Sequence, residues 1–78
     1  MPRYYFDIHD GERLAVDHVG TELDDLSSAR DEATRTLSEI GAEEIPRDGP
    51  HREFAIAVRD DSGNVLFELR LTFHTRSF

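Results

Sequence analysis

Cysteine is absent from the 78 residues, which excludes disulfides, zinc–thiolate sites and thiol nucleophiles. Lysine is absent too, since all nine basic residues are arginine. Schiff-base chemistry and a phosphate-binding loop ending in Gly-Lys-Ser/Thr are therefore excluded. Tryptophan and glutamine are missing as well. No apolar run reaches the length of a signal sequence or a membrane span, and the start, MPRYYFD, has no such character. The expectation is a cytoplasmic chain with no membrane partner. Positive charge is scarce: 17 acids against nine arginines give a net charge of −8. Eight of those acids fall within residues 22–44, beside two arginines. Such a surface repels phosphate backbones and anionic lipid, and it suits a basic protein partner or simple solubility.

Seventy-eight residues allow one domain and one core, spanning 1–78. A core of this size is marginal. Without disulfides or a thiolate-bound metal, the remaining supplements are good packing and self-association.

Residues 24–44, DDLSSARDEATRTLSEIGAEE, read as one amphipathic helix. Leu26, Ala29, Ala33, Leu37 and Ile40 recur three or four apart and share one narrow face. Alanines in mid-stripe let the helix sit close to a flat apolar surface. Asp24 or Asp25 is the natural N-cap. Pro46 is expected to stop the helix at Ile45, with Gly41 as an earlier alternative, and residues 46–50, PRDGP, read as a loop.

The flanks alternate as strands do. Tyr4, Phe6 and Ile8 share one face, and Tyr5, Asp7 and His9 the other. A turn near Asp10-Gly11 leads to a second strand through Leu14 and Val16. A three-residue connection pairs Ile8 with Leu14 and Phe6 with Val16, which keeps all four on the core face. After the helix, Phe54, Ile56 and Val58 alternate with Ala55, Ala57 and Arg59; Val65, Phe67, Leu69, Leu71 and Phe73 alternate with Leu66, Glu68, Arg70 and Thr72. A four-residue loop, Asp60-Asp61-Ser62-Gly63, places Gly63 where positive φ is wanted. That loop pairs Val58 with Val65, Ile56 with Phe67 and Phe54 with Leu69. Across the open face it pairs Glu53 with Arg70 and Ala57 with Leu66. The expected fold is α+β, ordered β-β-α-β-β, with one helix on one face of a mainly antiparallel sheet of three to four strands.

MPRYYFDI at the start, the following DG, GTEL-DD before an alanine-rich helix, and EFAIAVRDDSGNVLFELRLTF resemble a family of short uncharacterised bacterial proteins grouped as a domain of unknown function. The resemblance covers nearly the whole chain and brings no activity, ligand or catalytic residue with it. A looser similarity links Gly20, Leu23, Leu26 and Ala29 to the helix start of HicB-type antitoxin domains, as fold-level analogy.

Chemistry-bearing clusters are weak. Asp7, His9 and His74 would approach a two-histidine, one-carboxylate set only if the first and last strands were neighbours, and no HxH or HExxH spacing occurs. His18 and His51 lie by turns. Asp24, Asp25, Asp31 and Glu32 lack calcium-loop spacing and read as cap and solvated helix face. No GxSxG elbow accompanies the serines. No catalytic residue, cofactor or metal is expected, and the chain is read as non-enzymatic. The open sheet face is the candidate working surface, with Tyr5, Ala57, Arg59, Leu66 and Arg70 as contact residues for a protein partner or a second copy in a homodimer. A strand edge is the other candidate. A nucleic-acid-associated, antitoxin-like role is the alternative, carried by the same tyrosine and arginines.

Overall fold

The computed structural model describes residues 1–11, 13–44 and 51–78. Elements follow in the order β1 (Arg3–Asp10), β2 (Arg13–Ala15), β3 (Thr21–Glu22), α1 (Leu26–Glu44), β4 (His51–Arg59) and β5 (Val65–His74). The expected α+β architecture is present, with β3 as an added strand. Strand order is β2-β1-β4-β5, β3 also pairs with β1, and every pairing is antiparallel. β3 has only two residues, too few for any periodicity to reveal. The expected stop at Pro46 and the loop at 46–50 lie outside the described residues.

Asp25 caps α1: its Oδ1 accepts the Ser28 N–H at 2.9 Å, satisfying an amide that has no partner inside the helix. Ala29, Ala33, Leu37 and Gly41 form the buried row, each four residues after the last. Gly41 therefore does not end the helix, which continues to Glu44. Its place in the buried row explains why a glycine is tolerated there. Leu26, expected in the stripe, is 47% exposed at the helix start.

The row packs over β4 and β5. Phe54, Ile56 and Val58 of β4 are fully covered, and with Tyr4, Ala29, Ala33 and Leu37 they form the core. Phe6, Ile8, Ile40, Phe67, Leu69 and Leu71 close around it, partly buried.

Both hairpin registers differ from the sequence expectation. In the first, Ile8 lies opposite Ala15, His9 opposite Leu14 and Asp10 opposite Arg13. The expected Ile8–Leu14 and Phe6–Val16 pairs do not form. This one-residue slip sends Leu14 to the open face, where it is 55% exposed, and leaves Val16 43% exposed. Asp17 explains it. Its carboxylate accepts the Phe6 N–H at 3.1 Å, and its own N–H donates to Asp7 Oδ1 at 2.9 Å. Orphaning such groups costs about 1–3 kcal/mol each, which rivals what one aliphatic side chain gains at a sheet edge.

In the second hairpin Val58 pairs with Phe67, Ile56 with Leu69, Phe54 with Leu71, Ala57 with Glu68 and Glu53 with Thr72. From Phe67 onward the expected pairs are displaced by two residues, so those side chains keep their face while changing their neighbour; Val65, beyond the bulge, lies opposite Arg59 and is 63% exposed. Two local features add one residue each. Asp60 closes a tighter loop, its N–H donating to Asn64 O at 3.0 Å and its Oδ1 accepting from the Ser62 and Asn64 amides at 2.9 Å each. Gly63 sits in that loop at φ 85°, as expected. A bulge between Val58 and Arg59 supplies the second shift.

Candidate functional site

The open face is built in cross-strand rows. Asp7, Ala57 and Glu68 form one row; His9, Ala55 and Arg70 form the next. The central strand contributes alanines, and longer neighbours lean over them. Ala55 is 4% and Ala57 8% exposed for that reason, although α1 packs against the other side. The centre of the face is thus closed by the protein's own side chains.

Arg59 is the main closure. Its Nε donates to Asp7 Oδ2 at 2.5 Å, its Nη2 to Asp7 Oδ1 at 3.1 Å and to the Asp17 carbonyl at 3.0 Å. The guanidinium lies 5.1 Å from the Tyr5 ring centroid, in cation–π range. These paired bonds hold the Asp7 carboxyl below its ordinary range; burial opposes that shift and the Asp17 N–H reinforces it. Burial pushes Asp17 upward, but the amides of Gly20, Phe6 and Val19 outweigh it and lower the carboxyl overall. The Arg59 guanidinium is raised, chiefly by its bonds to Asp7. One buried carboxylate thus fastens β4 and the residues after β2 to β1.

Each expected contact residue has a definite place. Tyr5 is half-buried against Arg59, and Ala57 is buried beneath its neighbours. Arg70 pairs with Glu53 and, at 2.8 Å, with Glu68. Glu53 is reached diagonally, since Thr72 and not Arg70 lies directly opposite it. Leu66 stands apart from this group at 40% exposure, near the sheet margin. Arg59, Tyr5 and Ala57 are brought together; Leu66 is not part of their cluster.

The metal candidates are separated. Asp7 and His9 lie on β1 and His74 on β5, with β4 between them. His74 faces His51 instead, with ring centroids 5.5 Å apart. Among the described residues no group of three histidines and carboxylates is placed to hold a metal ion. No helix among them is long and apolar enough to cross a membrane.

The margin of the sheet offers a different surface. Among the described residues no strand lies beyond β5, so its ten residues run along a free edge. Phe67, Leu69, Leu71 and Phe73 are only half-buried on its helix side. Two grooves follow this edge beneath α1. One of about 520 Å³ is lined by Leu26, Ser27, Arg30 and residues 66–69. The other, about 200 Å³, is lined by Thr34, Leu37, Ser38 and residues 69–71. Leu26 owes its exposure to the first groove. Sequence periodicity placed Leu26 in the core stripe because it cannot tell where a sheet ends.

Among the described residues, one helix laid on one antiparallel sheet of five strands, with an uncovered margin, defines a small α+β domain. A model of a domain of unknown function, DUF6894, matches residues 3–72, and the chain belongs to that family. Comparison with curated proteins and with solved structures returns no match.

Proposed function

We propose that this is a non-catalytic protein-binding domain that works through the margin of its sheet, with β5 and the adjoining grooves as the docking surface. The carrying observation is the free ten-residue β5, flanked by half-buried apolar side chains. Unpaired backbone N–H and C=O groups along such an edge are a template for another strand. Natural edges are usually blunted by proline, lysine, brevity, charge or a bulge; β5 has no proline or lysine and is ten residues long, and its bulge lies at its first residues, leaving Phe67–Phe73 regular.

The open face supports this reading only at its border. Arg59 and Arg70 are already neutralised by Asp7, Glu53 and Glu68, which weighs against the antitoxin-like, nucleic-acid alternative. Leu66 is the expected contact residue that fits the edge, since it lines the larger groove.

The test compares proteins retained by immobilised wild-type chain and by Leu66→Arg from an extract of the native host, counting the chain itself as a partner. Selective retention by the wild type, lost in Leu66→Arg with an unchanged circular dichroism spectrum, supports the reading. Identical retention by both chains contradicts it.

A further inference from the structure

We infer that the occupant of the β5 edge is a second copy of this chain, joined antiparallel about a two-fold axis through Leu69, so that two sheets become one. This inference rests on the edge-binding reading above and names its partner and register.

The register follows from charge and face. An isologous contact between like strands must pair each residue with its symmetry mate. Centred on Leu69, the pairing sets Glu68 opposite Arg70 of the partner and Arg70 opposite the partner's Glu68, so the Glu68–Arg70 pair each protomer already makes at 2.8 Å joins its mate in one alternating network of opposite charges. On the helix side it sets Leu69 against itself and Phe67 against Leu71. Centring on Glu68 places two carboxylates face to face. Centring on Arg70 does the same with two guanidinium groups. Registers displaced by an odd number of residues set helix-side residues opposite open-face ones, which divides the apolar row. Leu69 is the one centre near the middle of β5 that satisfies both faces.

The protomer is shaped for such a join. The net charge is −8, yet Val65–His74 holds one acid and one arginine. Among the described residues that line the two grooves, Glu68 is the one acid. The acids of α1 therefore stay away from the contact. Since α1 packs over β4 and β5, a neighbouring sheet brings a second α1 across the axis. With strands about 4.8 Å apart and each helix above the β4–β5 seam, the two helices lie roughly 10 Å apart, within reach of helix packing. The grooves on either side of Leu69 then fall between the two helices, and the partner's Phe67 and Leu71 fill them.

Charge reversal tests both partner and register. Sedimentation equilibrium is run on the wild type, on Glu68→Arg, on Arg70→Glu, on the double variant, and on an equimolar mixture of the two single variants. The wild type is expected to dimerise. Each single variant creates two like-charge pairs and is expected to raise the Kd about tenfold or more. The double variant exchanges the pairs and recovers the dimer. The mixture forms heterodimers, because one chain then carries two arginines opposite two glutamates on the other. A wild type that stays monomeric at high concentration overturns the inference; if it still loses its retained proteins on Leu66→Arg, the edge-binding reading stands alone. A dimer indifferent to all four combinations overturns the register and places self-association elsewhere. Failure of both the sedimentation and the retention experiments removes the edge altogether.

Discussion

Asp7 shows how a single residue sets the character of the open face. It is 8% exposed, and a carboxylate so placed persists only because Arg59 and the Asp17 N–H satisfy it. Asp7→Ala removes the carboxylate from that amide and from the guanidinium, which keeps only the Asp17 carbonyl, and urea denaturation is expected to show a loss of about 3 kcal/mol at neutral pH. The pH dependence has a fixed sign. Asp7 and Asp17 both have lowered folded-state pKa values, so the unfolded chain binds more protons near their ordinary range. Their contribution is complete above the unfolded value of about 3.9 and is lost as pH falls through the lowered folded values. The gap in melting temperature between wild type and Asp7→Ala is therefore expected to narrow below about pH 4. Gly20 is a second sensitive position. At φ 76° an added Cβ would lie 2.8 Å from Arg3 Cγ and 2.9 Å from Tyr5 Cε2. Gly20→Ala is expected to cost about 1–3 kcal/mol by chemical denaturation.

At the scale of elements, the helix stripe and the two faces of β1, β4 and β5 were legible from spacing alone, because burial writes its period into the sequence. Registers were less legible. Apolar patterning placed Leu14 opposite Ile8, but Asp17 gives the chain a stronger reason to sit one residue away, and no hydrophobic pattern reports a backbone amide seeking a carboxylate. The second hairpin departs less from its pattern, since a shift of two residues keeps every face from Phe67 onward and only the Asp60 loop and the bulge distinguish the two registers. Of the expected contact residues, Tyr5, Ala57 and Arg59 lie together, but an alternating pattern could not show that Asp7 and Asp17 occupy the arginine. Two substitutions check these assignments. Leu14→Thr is expected to change stability by less than about 0.5 kcal/mol, since Leu14 is exposed; the core pairing would make it costly. Ala33→Leu forces bulk between α1 and the sheet at a fully covered position and is expected to cost about 1–3 kcal/mol.

At the scale of the molecule, a 78-residue chain without disulfides has limited apolar area to bury, and part of it lies along β5. Pairing two such edges would extend one sheet across both copies, bury the exposed row and make stability rise with protein concentration by mass action. Amide hydrogen exchange, followed residue by residue as concentration is raised, tests this most directly. Alternate amides of β5, those directed away from β4, are expected to gain the most protection with concentration, while those of β1 and β4 gain only the share that follows the rise in overall stability. Outward β5 amides that exchange equally fast at every concentration would contradict a paired edge.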